Sequence, residues 1–254
     1  MEKNSYDFFA KDYHNKRRHH WKDLEIFLQE LIDKGIHFEG YNLDLGCANG
    51  RNFDLFLHPN SRLVGIDNSI ELLRLARERL DEQNFKSKFN PNFVNLILSD
   101  VKALPLRPNT IKNIFSIATI HHIKTETLRN ETIFQLYSVL KDNGFFVLTV
   151  WRRYQKKYRF NFIIDRIRRI FIPKHIAKQK NLGILEYGDK LIPWTLSNMN
   201  LTYNRFYHFF SLKEIKNLLK IYLIKVIAKR GGPNRKDNFF ILSQKVVKEK
   251  IKND

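Results

Sequence analysis

Apolar and polar positions along the chain follow two different periods. Short apolar runs and period-two alternation, which are typical of strands, occupy five stretches: 41–45, 62–66, 93–98, 111–118 and 145–151. Apolar residues spaced three and four apart, which are typical of helices, occupy four others: 50–57, 69–83, 126–140 and 211–219. Because strands and helices alternate, the pattern predicts an α/β fold with a mostly parallel sheet covered on both faces.

The two ends of the chain add to this pattern. Residues 5–34 carry a helical apolar pattern that contains a basic cluster at Lys16–His20, and 221–228 and 238–244 predict two further strands. Residues 152–180 hold eleven Lys and Arg against one acid, and the spacing predicts an amphipathic basic helix at 160–171. Such a helix suits either a membrane surface or the phosphates of a nucleic acid. We predict one domain over residues 1–254. It has two appended parts: an N-terminal helical cap at 1–38 and a basic substrate-binding insertion over the active site at 152–205.

Candidate ligand-binding residues cluster at the predicted strand ends, where parallel α/β sheets bind their ligands. The first strand runs into a glycine turn, Asp44–Gly50, and the second ends at Asp67, whose carboxylate can accept two ribose hydroxyls. The turn lacks the third glycine of a dinucleotide-binding loop, and the acidic Asp44 suits a cationic cofactor better than a pyrophosphate. The pattern predicts S-adenosylmethionine; the alternative is a glycine turn with an ordinary helix cap. The predicted cofactor-binding residues are Asp44, Gly46, Cys47, Gly50, Asp67, Asn68, Asp100, Val101 and Ile117.

Composition narrows the possible partners and location. The formal net charge is +19 and the sequence pI is about 9.9. This charge favours a polyanionic partner such as RNA. The alternative is that the chain is basic only because it comes from a lysine-rich proteome. The chain has one cysteine, no apolar run of membrane-spanning length and no signal-peptide pattern at its start. We therefore expect a cytoplasmic protein without a membrane partner.

The residues available for catalysis favour a carboxylate as the methyl acceptor. The one cysteine lies inside the cofactor turn, and no Asn/Asp-Pro-Pro-aromatic stretch is present to orient a planar amine. A carboxylate is already ionised at neutral pH, so it needs cationic capture and alignment rather than a general base. The adjacent histidines diverge and lack an evident third ligand, so no metal is predicted, and one of them could instead pack on the cofactor. The candidate catalytic residues are Arg17, His121, His122, Arg129 and Arg205.

Several motifs resemble those of one enzyme family. Five of them are shared with class I methyltransferases in general: Leu43–Gly50, Gly65–Ser69, Asp100–Pro105, Ser116–His122 and Val150–Trp151. Four are more specific: Arg17 with Trp21, Asp189–Trp194, Arg205–His208 and Lys236–Phe239. Together they resemble the eukaryotic tRNA wobble-uridine carboxymethyl methyltransferases, the yeast Trm-nine type and its animal AlkB-homologue relative. The cofactor turn departs from a glycine-richer family version at Ala48 or Asn49.

The resemblance implies a class I methyltransferase fold, a Rossmann-like seven-stranded sheet that is mostly parallel with an antiparallel last strand. It implies methylation of the carboxylate of 5-carboxymethyluridine at tRNA position 34. The expected partners are the tRNA anticodon stem-loop and a small zinc-binding activator of the Trm-one-one-two type. The activator would pair with the sheet edge at Phe93–Leu98, unless the chain's own helix covers that edge. The substrate-binding residues expected by resemblance are Asp189, Trp194, Tyr207, His208 and Asp237, with Trp194 or Tyr207 stacking on the flipped base.

Two other interpretations remain open from the sequence. One is a class I methyltransferase acting on a small molecule, such as a quinone or lipid precursor. The other is a non-catalytic RNA-binding scaffold with a decayed core, which the intact Gly46, Asp67 and Asp100 oppose.

Overall fold

The computed structural model describes residues 6–197 and 201–246. Small parts of the predicted domain, cap and insertion, residues 1–5, 198–200 and 247–254, lie outside this description. The strands are β1 (Gly40–Leu45), β2 (Ser61–Asp67), β3 (Val94–Leu98), β4 (Ile111–Ile117), β5 (Leu140–Trp151), β6 (Asp189–Thr195), β7 (Thr202–His208), β8 (Leu223–Arg230) and β9 (Asn238–Gln244). The α-helices are α1 (Ala10–Lys16), α2 (Lys22–Ile32), α3 (Phe53–Phe56), α4 (Ile70–Asp81), α5 (Gln83–Lys86), α6 (Glu126–Val139), α7 (Arg159–Phe171), α8 (Pro173–Asn181) and α9 (Leu212–Leu218).

Seven of the strands form one sheet in the order β3-β2-β1-β4-β5-β9-β8. The first five strands in this order pair in parallel, and β9 runs antiparallel to both β5 and β8. The order reverses at β1 and β4, which places a crevice at the carboxyl ends of these neighbouring strands. The sheet confirms the predicted fold class, a seven-stranded, mostly parallel α/β sheet with an antiparallel last strand.

Period-two alternation in the central strands supplies both faces of the sheet. In β5, Phe146 and Leu148 join the apolar cluster under α6 and α9, whereas Val147 between them joins the cluster under α2 and α4. β9 alternates in the same way, with Ile241 on one face and Phe240 on the other. Two buried apolar layers therefore fix the register of the sheet and the position of its carboxyl edge.

The structure differs from the predicted elements in three places. The N-terminal helical pattern forms two helices, because the chain leaves the helix at Arg17 and is extended at Trp21. The helix predicted at 50–57 is only the single turn α3. Between β5 and α9 the chain forms α7 and α8, as well as a hairpin of β6 and β7 that the pattern did not predict.

Strand β3 lies at the edge of the sheet, where the sequence placed it. Only β2 pairs with it among the described strands. Its first residue, Val94, is buried against the core, and its last, Leu98, is exposed.

None of the described helices is long and apolar enough to cross a membrane.

Candidate active site

A cavity of about 1280 Å³ opens at the carboxyl ends of the parallel strands. Its walls come from the turn after β1, the ends of β2 and β4, the N-terminal segment, the β6–β7 hairpin and the loop before β9. This volume exceeds the ~300–1,000 Å³ typical of a site for one small ligand. The cavity can therefore hold a cofactor together with part of a larger substrate.

The turn after β1 depends on glycine at Gly46. Its φ is +73°, and its N–H donates to the carbonyl of Ile66 at 2.7 Å, which joins the turn to β2. A Cβ built on Gly46 would lie 2.4 Å from both Cγ2 and Oγ1 of Thr119. Glycine is therefore required because Thr119 packs directly on the backbone, and the turn forms a narrow cradle of backbone at the cavity wall.

Asp67 closes this cradle from the end of β2. Its Oδ2 accepts the N–H of Ala48 at 2.9 Å, and its Oδ1 accepts the N–H of Ser69 at 2.9 Å. Burial raises the pKa of Asp67 to about 6, although the hydrogen bonds from the backbone oppose this rise. The carboxylate still lines the cavity and retains lone pairs that can accept ligand hydroxyls.

Asp44 lies beneath the turn and does not line the cavity. Its side chain is 2% exposed, and its Oδ2 has no hydrogen-bond partner among the described residues. Burial, followed by repulsion from Asp67, raises the pKa of Asp44 to about 8. At neutral pH Asp44 is therefore mostly protonated, and Asp67 is the carboxylate beside the turn that attracts a positively charged ligand.

The other predicted cofactor residues fall on the same side of the cavity, except Gly50. Asn68, Asp100, Val101 and Ile117 line it, and the Oδ1 of Asp100 accepts the N–H of Lys102. Cys47 also lines it, and burial raises the pKa of its thiol well above the usual range, so the thiol stays protonated. Gly50 instead shapes the turn, with φ +69° and a Cβ position 2.4 Å from the ring of Phe53.

These residues fit S-adenosylmethionine. The glycine turn and Asp67 line one wall of the cavity, and the Asp67 carboxylate offers acceptors to ribose hydroxyls and negative charge to a cationic ligand. When it is bound there, the cofactor supplies the methyl group.

The N-terminal segment, residues 6–22, contacts both the cofactor side of the cavity and the β6–β7 hairpin. Asp7 accepts the hydroxyl of Ser69 at the start of α4. Farther along, Asp12 accepts the indole N–H of Trp194 at 2.7 Å, on the β6–β7 hairpin. The backbone carbonyl of Arg17 accepts the side-chain N–H of Asn49 in the cofactor turn. The segment therefore holds the hairpin against the cofactor half of the cavity.

Both predicted histidines line the cavity from the short turn after β4. Their ring centroids lie 4.5 Å apart, and the His121 ring stacks on Tyr207 at 4.8 Å. Burial lowers the pKa of His122 to about 4 and holds the pKa of His121 well below its usual range. The expectation that they provide cationic charge is therefore wrong for the free site, because burial keeps both rings neutral.

Arg205 is the central cation of the cavity. Its guanidinium carbon lies 4.5 Å from the ring centre of Trp194 and 5.1 Å from that of Tyr207. Its Nε is buried and has no hydrogen-bond partner among the described residues. Arg17 also lies near this indole, with its guanidinium carbon 5.8 Å from the Trp194 ring centre. The site therefore offers a fixed arginine with an unused donor and a second, exposed arginine beside it.

Trp194 and Tyr207 line the cavity but are only 7% and 4% exposed. Phe9 and Tyr13 stack on the Trp194 ring at 5.7 and 5.8 Å. The faces of both rings are covered by neighbouring side chains and by Arg205. Stacking of either ring on a base, as expected by resemblance, would require a rearrangement; in this structure the two rings position Arg205.

Three of the predicted catalytic and substrate-binding residues do not line the cavity: Arg129, Asp189 and His208. Arg129 is 3% exposed; it donates to the carbonyl of Ile123 and pairs with Glu186. The Nδ1 atom of His208 lies 2.7 Å from an Asp189 oxygen, and the second Asp189 oxygen accepts backbone N–H groups of the preceding loop. These residues form a buried ionic network that holds the β6–β7 hairpin on the core.

The atoms that Glu186, Asp189 and His208 could offer to a metal lie within 4.8 Å of one another. In this group of three residues the Glu186 carboxylate already forms an ion pair with the guanidinium of Arg129, which balances its negative charge.

Asp237 lines the cavity from the loop before β9. It is 4% exposed, and its Oδ2 accepts the N–H of Asn234 at 3.2 Å. Its carboxylate therefore shapes the loop before β9.

Several cavity residues were missed by sequence reasoning. They are Tyr6, Tyr13, Lys16, Asn52, Thr119, Trp151, Gln155, Lys157 and Tyr158. The basic cluster at Lys16–His20 was the sequence signal available for Lys16.

Comparisons with known proteins agree with this geometry. A family described as a methyltransferase domain matches residues 43–148. A tRNA (carboxymethyluridine(34)-5-O)-methyltransferase of Schizosaccharomyces pombe is 25% identical over 244 residues, which cover 94% of each chain. An Arabidopsis thaliana protein of the same name is 29% identical over 59% of this chain, but the match spans only 32% of that protein. These matches confirm the resemblance inferred from the motifs.

Solved structures agree on the fold. A SAM-dependent methyltransferase of Methanosarcina mazei superposes with a TM-score of 0.66 at 19% identity, covering 86% of this chain and 98% of that one. The solved structure and the sheet order thus show the class I α/β fold, and the methyltransferase-domain match together with the two curated relatives shows that the chain is an S-adenosylmethionine-dependent methyltransferase.

Proposed function

We propose that the enzyme methylates the carboxylate of 5-carboxymethyluridine at the wobble position 34 of tRNA, giving the methyl ester. The observation that carries the proposal is Arg205, which lines the cavity and whose buried Nε has no hydrogen-bond partner in the described part of the chain. A buried cationic donor without an acceptor is costly, and a planar carboxylate satisfies a guanidinium through two parallel hydrogen bonds.

The surroundings of Arg205 support an anionic group over a neutral one. The Trp194 and Tyr207 rings restrict the guanidinium, so little conformational freedom is lost when a carboxylate binds. His121 and His122 are neutral in the free site, so the positive charge of this part of the cavity comes from its arginines. Arg17 adds a second cation at the cavity wall.

Two features support a tRNA over a free carboxylic acid. The net charge of +19 gives a field that attracts a polyanion over long range. The cavity also exceeds a small-ligand site and is lined by exposed cations, including Arg17, Arg18 and Lys157. We therefore propose that the anticodon stem-loop binds over the cavity opening, where these cations are exposed, and that the wobble nucleotide enters the cavity. The proposed location is the cytoplasm, which follows from the tRNA substrate.

A zinc-binding activator paired with β3 is part of the same proposal. The edge position of β3 and the exposed Leu98 support it, since an unpaired edge can accept a strand from a second chain.

The experiment compares three tRNAs that differ only at the wobble uridine. One carries a carboxymethyl group, one the neutral carboxamide of the same shape, and one no substituent. Each is incubated with radiolabelled S-adenosylmethionine, with and without an activator protein. We expect methyl transfer to the carboxylate-bearing tRNA alone. Equal transfer to the carboxamide would contradict carboxylate capture by Arg205, and transfer to no tRNA would contradict the tRNA substrate.

A further inference from the structure

Helix α7 carries an apolar stripe that points away from the protein. Its members are spaced three and four residues apart: Phe160, Ile163, Ile164, Ile167, Ile170 and Phe171. Their exposed fractions run from 46% to 73%. Phe162, which is 3% exposed, packs on Phe209 from the opposite side of the helix. A surface helix normally buries its apolar stripe against the core, so α7 presents a second stripe that the described part of the chain leaves uncovered.

Cations flank this stripe. At 3.6 residues per turn, Arg159 and Arg166 fall on one side of it and Arg168 on the other, and all three are exposed. α8 continues the charge with the exposed Lys174, Lys178 and Lys180. The one acid of α7, Asp165, is paired with Arg169 and His175 and so does not offset the exposed arginines.

The partner of α7 must provide two kinds of contact: an apolar surface for the stripe and anionic groups for the flanking cations. A tRNA would neutralise the arginines but leaves the aliphatic stripe unexplained, because isoleucines neither stack on bases nor bind phosphates. A second copy of this chain would cover the stripe but would bring two strongly cationic helices together. An anionic bilayer offers phosphate and carboxylate groups at its surface and an apolar layer directly below them.

We propose that α7 is a peripheral membrane-binding helix that lies in the plane of an anionic lipid surface. The apolar stripe inserts at the boundary between headgroups and acyl chains, and the flanking arginines contact the lipid headgroups. The helix spans 13 residues, or about 20 Å, so the contact is shallow and reversible. This proposal differs from the sequence-based expectation that the protein has no membrane partner. It does not depend on which acceptor the enzyme methylates.

The test measures sedimentation of the full chain with lipid vesicles. One set contains phosphatidylcholine alone, and the other contains about one third phosphatidylserine. We expect the protein to bind the anionic vesicles, to bind them less as salt rises, and to bind neutral vesicles at least about tenfold more weakly.

Matched substitutions then locate the contact. Phe171 on α7 and Phe134 on α6 are both phenylalanines on helices, 73% and 66% exposed. Phe171→Asp should weaken binding to anionic vesicles by about tenfold or more, as should Ile167→Asp, whereas Phe134→Asp should leave it unchanged. Thermal unfolding of each variant establishes that it is folded.

Three results would overturn the proposal. One is sedimentation that does not depend on phosphatidylserine. A second is equal loss of binding in the Phe171→Asp and Phe134→Asp variants. The third is concentration-dependent dimerisation that Phe171→Asp abolishes without any vesicle binding, which would assign the stripe to a second copy.

Discussion

The substitution Asp44→Asn tests how the cofactor half of the site is built. Asp44 is 2% exposed with one oxygen unpartnered among the described residues, and burial followed by repulsion from Asp67 raises its pKa to about 8. Its ordinary value is 3.8. Between these two values the folded protein retains a proton that the unfolded chain releases. The free energy of unfolding therefore falls as pH rises, by about 1.4 kcal/mol per pH unit from this group.

Asparagine has nearly the same shape and does not titrate. From about pH 5 to about pH 7, the native protein loses about 3 kcal/mol of stability through Asp44, and the variant does not. We therefore expect the stability difference, variant minus native, to be about 3 kcal/mol larger near pH 7 than near pH 5. Because the comparison subtracts one pH from another, any pH-independent effect of the amide cancels.

Urea unfolding of the cofactor-free protein at both pH values, followed by far-UV circular dichroism, measures this difference. Asp81→Asn is the control, since that side chain is 63% exposed and its charge is screened by solvent. An Asp44→Asn stability difference that is the same at both pH values would refute the reasoning.

Three further substitutions separate cofactor, substrate and structural roles. Gly46→Ala should weaken S-adenosylmethionine binding at least about tenfold by calorimetry, because φ is +73° and the new methyl would lie 2.4 Å from Thr119. Arg205→Gln should lower kcat/KM for the carboxylate-bearing tRNA about a hundredfold without lowering the melting temperature, since a charge-assisted hydrogen bond contributes about 1.5–3 kcal/mol. Arg129→Met should lower the free energy of unfolding by about 2–4 kcal/mol by leaving Glu186 unpaired, yet retain most of the activity of the folded enzyme. Loss of activity in a fully stable Arg129→Met variant would instead place this residue in catalysis.

The sheet and the cofactor turn could be predicted because their signals are local. Period-two alternation in β5 and β9 supplies two apolar faces, and Gly46 occupies a backbone conformation that other residues rarely adopt. Asp67 is recognisable for the same reason, since it directly ends an apolar strand. Each of these features depends on neighbours within a few residues along the chain.

The part of the cavity formed by the N-terminal segment and the β6–β7 hairpin depends on contacts between residues far apart in the sequence, which no local pattern predicts. Trp194 is held by Asp12, 182 residues earlier in the sequence. The β6–β7 hairpin was missed partly because Pro193 argues against a strand, whereas a two-stranded ribbon has only edge strands and tolerates it.

The charge states in the site also depend on the tertiary fold. Sequence reasoning treated His121, His122 and Arg129 alike as possible cations. Burial lowers the pKa values of the two histidines and keeps them neutral. Arg129 forms an ion pair with Glu186, so its charge stabilises the β6–β7 hairpin and does not face the cavity. Arg205 and Arg17 remain as the predicted cations that line the cavity.

Methylation of a carboxylate leaves an ester, and an ester can be told apart from other methyl marks by mild alkali. Wobble nucleosides are analysed by mass spectrometry after incubation of carboxymethyl-bearing tRNA with enzyme, S-adenosylmethionine and activator, before and after mild alkaline treatment. The account predicts one added methyl on this nucleoside, and its complete removal by alkali. An added methyl that survives alkali, or one found on a different nucleoside, would contradict it.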